Sequence, residues 1–384
     1  MIGMLCAALI LLSGCGQQSA GQESAMAAWE RTANLTANET PEELYAAALK
    51  EDTLIVYSTS TRMIEVAKTF EKQYPGLTVQ VEDIREGELY DMLRQSHDSE
   101  AYLVDIVCSA DGRGIMTNEF LPQNVVYKYV PQDIAEALLP GSNEELLLLI
   151  KEAIVLCYND EFYDAPPVSN WWELTEEQWR GKVYMPNPVR SVTTSVFLAA
   201  FIQNGEAMAQ AYQQRYGTVP ALCQGENAGH AFIRMLMEND VVIVNSSDEV
   251  SEAVAAPGSQ SPNAGIMVTS KLRLRNIGYP LALSMGMTPF DGIASPVNIM
   301  MAGGAKNVNA AKLFIRWIYG EADGRGDGYR PYLQSGAWSL RSDVKDESPI
   351  PMGALTLHEP DRLYLYTNKD HIFAFWEELV QARQ

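Results

Sequence analysis

Leu54-Ile55-Val56-Tyr57-Ser58-Thr59-Ser60-Thr61 decides the fold. Four apolar, mostly β-branched or aromatic residues read as a buried strand. The hydroxyl run after them leads into a segment where Met63, Val66, Ala67, Phe70 and Tyr74 recur at helical spacing. A continuous apolar strand passing directly into an amphipathic helix is the unit of a parallel sheet with crossover helices. Upstream, Thr40-Pro41-Glu42-Glu43 supplies an N-cap, a proline at the first helical position and a capping-box glutamate, opening a helix through Lys50. Downstream, Pro75-Gly76 stops the second helix and residues 78–82 alternate as a strand. Residues 87–95 are helical, and 103–108 (L-V-D-I-V-C) form a third strand ending at Ser109-Ala110-Asp111-Gly112.

The same alternation returns further on. Strands are expected at 153–158, 183–185, 241–244 and 297–302. Helical segments are expected at 171–179, which is Trp-rich, at 193–204, and at 308–319, where Ala311, Phe314, Ile315 and Ile318 share a face. The fold class is therefore α/β. Once residues 1–39 are set aside, about 345 residues remain, more than one hydrophobic core usually holds, so two domains are expected.

One local device occurs twice. Ser58–Thr61 joins a buried strand to a helix N-terminus, and Asn187-Pro188-Val189-Arg190-Ser191-Val192-Thr193-Thr194-Ser195 does the same in the second set. The first turn of a helix leaves N–H groups unpaired, hydroxyls add donors, and the helix dipole favours negative charge there. Arg62 and Arg190 set a guanidinium beside each loop, a fork suited to oxyanions. Ser109 and Asp111 end a third strand, on the side of an open sheet where ligands bind. Such hydroxyls are also ordinary helix caps, so it is the doubling of the loop that points to a ligand.

At these residues the chain resembles the extracellular solute-binding proteins of ABC transporters, in the iron(III), phosphonate and thiamine-like branch of the type II periplasmic-binding-protein fold. The stretches that carry the resemblance are L-Y-A-A-A-L-K-E-D-T-L-I-V-Y-S-T-S (44–60), F-E-K-Q-Y-P-G-L-T-V (70–79), D-I-V-C-S-A-D-G (105–112), W-W-E-L-T-E-E-Q-W-R-G-K-V (171–183) and A-A-K-L-F-I-R-W-I (310–318). The resemblance implies a monomer of two α/β lobes, 40–150 plus 298–384 and 151–297, with crossing hinge strands near 151–158 and 285–297. It implies a small polar solute held between the lobes and delivered to a membrane permease served by a separate ATPase. Carried over position by position, the ligand wall comprises Ser58, Thr59, Ser60, Ser109, Asp111, Ser191, Thr193, Thr194 and Asp248, with Arg62 and Arg190 added. Iron-binding members carry an adjacent tyrosine pair after the strand matching 241–244. This chain reads Asn245-Ser246-Ser247-Asp248 there. A phosphorylated or phosphonate anion is thus the expected solute and iron(III) the alternative. Asp248 would repel an anion unless it pairs with an amine or a cation on the same ligand.

The N-terminal apolar run at 4–12 is shorter than the ~20 residues a membrane-spanning helix needs and reads as a signal-peptide core. Leu12-Ser13-Gly14-Cys15 follows, resembling a lipoprotein lipobox, which implies an acylated Cys15. The protein is then expected on the outer face of the cytoplasmic membrane, or in the periplasm, with 1–15 as signal and lipobox and 16–39 as a flexible polar tether. A net charge of −21, from 49 acidic and 28 basic residues, argues against nucleic acid as a partner. Cys108, Cys157 and Cys223 form no paired framework. His97, His230, His358 and His371 are scattered without zinc spacing, so no metal or cofactor is expected. No G-x-S-x-G or Walker A loop occurs, and the chain is read as a receptor rather than an enzyme. A surface hydrolase using Asp111 or Asp248 and a ligand-sensing partner of a membrane kinase are the remaining alternatives.

Overall fold

Residues 24–321 and 326–383 are described by the computed structural model. Cys15 and the expected lipobox lie outside them. The strands are β1 (Leu54–Ser58), β2 (Val79–Asp83), β3 (Ile106–Ser109), β4 (Val126–Tyr127) and the long β5 (Leu147–Asn159). Then come β6 (Val183–Pro186), β7 (Val242–Val244), β8 (Ala264–Val268), β9 (Leu281–Leu283) and a second long strand, β10 (Gly292–Ala302), with two-residue β11 (Trp338–Ser339) and β12 (Leu357–His358) last.

The main sheet runs β2-β1-β3-β10-β5-β8-β6-β7. Read inward from either end, it follows one rule. β1 pairs parallel with β2 and β3, and β3 then takes the antiparallel β10. Likewise β6 pairs parallel with β7 and β8, and β8 takes the antiparallel β5. Each half thus accepts a strand that continues into the other half, and this makes two α/β lobes joined by crossing strands. β5 and β10 pair with each other from Val155↔Gly292 to Leu147↔Ile299, with a bulge between Val297 and Asn298. The crossings expected at 151–158 and 285–297 are thus found at 147–159 and 292–302, because each strand extends into the sheet of both lobes.

Apolar burial follows the two lobes. Phe70, Ile106, Phe314 and Ile318 pack under the first sheet half, where the helix Val308–Ile318 lies against the helix Pro41–Ala48. The expected Thr40 and Glu43 capping box opens that second helix. In the other lobe Trp171, Trp172, Phe197, Phe201 and Phe232 form an aromatic core. The indole N–H groups of Trp171 and Trp172 donate to the carbonyls of Phe290 and Met208, both at 2.8–2.9 Å. The Trp-rich segment is 3₁₀ rather than α, in two short turns, Trp171–Thr175 and Glu177–Trp179.

Two segments sit differently from expectation. Part of the expected tether is a docked helix, Ala25–Ala33: Trp29 Nε1 donates to the Ala305 carbonyl at 2.8 Å, and Glu39 pairs with the buried Lys312 at 2.6 Å. An indole and a buried ammonium with fixed partners hold 24–39 on the first lobe, which polar composition alone does not reveal. The C-terminal helix Arg362–Ala382, expected with lobe 1, buries Leu365, Ile372 and Trp376 in the aromatic core of the second lobe. Among the described residues no helix is long and apolar enough to cross a membrane.

Candidate functional site

The turns at the C-terminal ends of β1, β2, β3, β6 and β8 all open on one cleft of about 530 Å³ between the lobes. This is the side of an α/β sheet where helix N-termini converge. From the first lobe come Thr59, Ser60, Thr61 and Arg62, then Arg85 and Glu86, then Ala110. From the second come Arg190 and Thr193, with Ser270, Lys271 and Arg273 on the 3₁₀ turn Thr269–Ile277. Glu152, Ser295 and Val297 of the crossing strands form the floor.

Local hydrogen bonds shape each turn. Ser58 Oγ accepts from the Ser60 N–H at 3.0 Å and donates to the Ser60 carbonyl at 3.1 Å, turning the chain off β1 into the helix Arg62–Gln73. The N–H groups of Thr61 and Arg62 find no acceptor among the described residues. Arg62 donates from Nε to Ser60 Oγ at 3.1 Å and from Nη2 to Glu152 at 2.7 Å, its guanidinium lying 4.8 Å from the Tyr332 ring centroid. Its Nη1 is buried and unpartnered. In the second lobe Asn187 Oδ1 accepts from the Val189 N–H at 3.0 Å, and Ser191 Oγ caps the helix Val192–Gln203 by accepting from the Thr194 N–H at 3.4 Å.

Five cationic side chains therefore face three acids, Asp83, Glu86 and Glu152, in a protein whose overall charge is strongly negative. Burial lowers the pKa of Arg273, and the nearby charge of Arg62, from the opposite lobe, lowers it further. Two guanidiniums held within each other's field at a lobe junction are a ready receptor for an anion. Burial also lowers Lys271, an effect opposed by its ion pair with Asp248. The Glu86 carboxyl is raised to about 7, by burial first and then by the charge of Asp111.

Of the residues expected at the wall, Thr59, Ser60, Arg62, Arg190 and Thr193 meet in the cleft. Ser58, Ser109 and Ser191 stand one layer behind as turn and cap groups, Ser109 Oγ donating to Glu86 at 2.9 Å. Thr194 is buried with an unpartnered hydroxyl. Asp248 is exposed and reaches the site only through Lys271. Asp111 turns away. In a left-handed conformation (φ 51°), it accepts from Met116 N–H, Thr117 N–H and Thr117 Oγ1 at 2.8–3.1 Å. It lines a second cavity of about 440 Å³ with Lys151 and Pro296, which shares Ala110 and Ser295 with the cleft.

Sequence reasoning passed over Arg85, Glu86, Glu152, Ser270, Lys271 and Arg273. The signals were present: Lys271-Leu272-Arg273-Leu274-Arg275 sets basic residues at alternate positions directly after the apolar β8, and Lys151-Glu152 interrupts an otherwise apolar strand. Among the described residues no histidine or cysteine lines the cleft, and no cluster of three His, Cys, Asp or Glu side chains is arranged to hold a metal.

A family model described as bacterial extracellular solute-binding protein matches residues 57–325. Among solved structures, iron-bound HitA from Pseudomonas aeruginosa superposes with a TM-score of 0.64 at 15% identity, covering 85% of this chain and 99% of that one. The periplasmic binding protein AfuA from Actinobacillus pleuropneumoniae, with exogenous fructose-6-phosphate bound, gives 0.64 at 16% identity, covering 86% and 99%. Apo ferric ion-binding protein A from Pasteurella haemolytica gives 0.63 at 15% identity, covering 85% and 98%. At these identities the likeness is one of fold. No curated protein sequence matches the chain.

Proposed function

Because this chain belongs to the bacterial extracellular solute-binding protein family, we propose that its interlobe cleft captures a small anionic solute, a phosphorylated or phosphonate compound. The protein is the substrate-binding component of an ABC importer and works outside the cytoplasm. The observation that carries the anionic reading is the convergence of Arg62, Arg85, Arg190, Lys271 and Arg273 from both lobes in a chain of net charge −21. Each lobe alone offers part of the positive field, so an anion gains its full set of contacts only when both lobes touch it. That differential contact is what drives lobe closure. Of the structural neighbours, HitA is iron-bound and AfuA has fructose-6-phosphate bound. Cationic walls favour the second kind of ligand over a bare cation. The wider reading keeps the lobes hinged on β5 and β10, the receptor monomeric, and Cys15 lipidated to hold it beside its permease and ATPase.

The test is a thermal-shift series with phosphate monoesters, phosphonates, inorganic phosphate, γ-aminobutyrate and Fe(III) with citrate. A ligand present at about 100 times its Kd should add about 2.7 kcal/mol to stability. Stabilisation by anions that disappears in Arg62→Ala and Arg273→Ala supports the reading. Stabilisation by ferric citrate or γ-aminobutyrate alone refutes it.

A further inference from the structure

Some charges in the cleft already have partners, and those without one define what is missing. Arg62 pairs with Glu152, and Lys271 with Asp248. Arg85, Arg190 and Arg273 form no ion pair among the described residues; Arg273 donates only to the Ser270 carbonyl at 2.9 Å. Of the two unpaired acids, Asp83 is exposed to solvent and Glu86 is buried. Glu86 is 4% exposed, and its Oε1 accepts both the Ser109 hydroxyl at 2.9 Å and the Gly112 N–H at 3.0 Å. Its Oε2 is buried with no partner. The Tyr90 hydroxyl lies close enough to the same carboxyl for each to shift the other's titration, yet it too is buried without a well-formed hydrogen bond.

We propose that the solute is a phosphate monoester bearing a hydroxyl group, its dianion held by Arg85, Arg190 and Arg273 and its hydroxyl donating to Oε2 of Glu86. The proposal rests on the anionic reading above and sharpens it. Inorganic phosphate or a simple alkyl phosphonate would satisfy the cations and leave the buried acceptor unpaired, forgoing the affinity that a hydrogen bond to it adds. A hydroxyl fits better than an ammonium for two reasons. Three unpaired arginines line the same cleft and repel a cation. Burial, with the charge of Asp111 added, holds the Glu86 carboxyl near neutrality, where it makes a poor counter-ion and a serviceable hydrogen-bond partner. The volume of about 530 Å³ also leaves room for a carbon skeleton beyond the phosphate.

Isothermal titration of the full chain with matched ligands tests this. Glycerol 3-phosphate and fructose 6-phosphate are compared with propyl phosphate, inorganic phosphate and phosphoethanolamine. Both polyol phosphates should bind about tenfold or more tighter than propyl phosphate, as expected for a hydrogen bond to a charged or buried group. Glu86→Ala should erase that preference while propyl phosphate binding changes little, Glu86→Gln should keep part of it, and Tyr90→Phe should keep all of it. Equal affinity for polyol and alkyl phosphates, a preference that survives Glu86→Ala, or tighter binding of phosphoethanolamine overturns the hydroxyl assignment and leaves the anionic reading standing. If no anion binds, the anionic reading falls and takes this one with it. Should Glu86→Ala fail to fold, Glu86→Gln and the wild-type ligand series decide the matter.

Discussion

Replacing Glu152 by glutamine should move stability and affinity in opposite directions. Glu152 sits on the floor of the cleft with its side chain 6% exposed, accepts from Arg62 at 2.7 Å, and lies in the field of Lys271 and Arg273. In the empty protein it is the counter-charge that allows cations from two lobes to sit together. Glutamine keeps the shape and a neutral acceptor but removes the charge, so the loss is smaller than the ~3–5 kcal/mol of a broken buried pair; about 2 kcal/mol is expected. For a chain of this size that corresponds to a fall in Tm of roughly 3 °C. Anion affinity should rise, because one repelling charge has left the floor. A unit charge at about 6 Å, with an effective dielectric of 20–40, is worth roughly 1.5–3 kcal/mol, or about ten- to hundredfold in Kd. Differential scanning fluorimetry of the empty protein and titration with a phosphate ester measure the two effects separately. If Glu152→Gln weakens anion binding, or raises the melting temperature of the empty protein, Glu152 is not the counter-charge and the cationic-receptor argument fails.

Three further outcomes follow from other parts of the molecule. Glu86 ordinarily titrates near 4.5 and is raised to about 7 by burial, so between those values the folded protein holds a proton that the unfolded chain has lost. Stability should therefore fall as pH rises through that window, by up to about 3 kcal/mol, and level off above it, a slope that urea unfolding should find missing in Glu86→Gln. Gly336 has φ +80°, and a Cβ there would lie 1.9 Å from the carbonyl oxygen of Thr269, the first residue of the turn bearing Ser270, Lys271 and Arg273. Gly336→Ala should cost about 2 kcal/mol or more in denaturant and also weaken anion binding, whereas a purely local effect would leave the titration unchanged. Trp29 donates to Ala305 and lies 5.0 Å, centroid to centroid, from Tyr127, so Trp29→Ala should cost roughly 2–4 kcal/mol. An unaltered denaturant midpoint would show that the helix Ala25–Ala33 contributes nothing to the lobe.

Much of the architecture was legible because its signals are local. Thr40 and Glu43 cap a helix from three residues apart, the β-branched and aromatic run L-I-V-Y suits a strand of a covered sheet, and the hydroxyl loops at 58–61 and 187–195 announce helix starts at strand ends. Composition was a weaker guide. The polar stretch before Glu39 reads as a tether until Trp29, Glu39 and Lys312 are seen to have fixed partners far along the chain. The C-terminal helix reads as part of the first lobe until Trp376 is found in the core of the second.

By itself the sequence determined that strands and helices alternate and that polar turns follow strand ends, because each follows from spacing over a few residues, while its length pointed to two domains and its family resemblance to two lobes. Only the tertiary structure decided which of those polar groups meet. Arg62 finds Glu152 and the field of Arg273 across the hinge, while Asp111, one residue beyond the cleft-lining Ala110, turns away to Met116 and Thr117. The physical reason is that a strand reverses its side-chain direction at every residue and a left-handed turn redirects it again. Residues adjacent in sequence thus part, and charges 90 residues apart come within 2.7 Å.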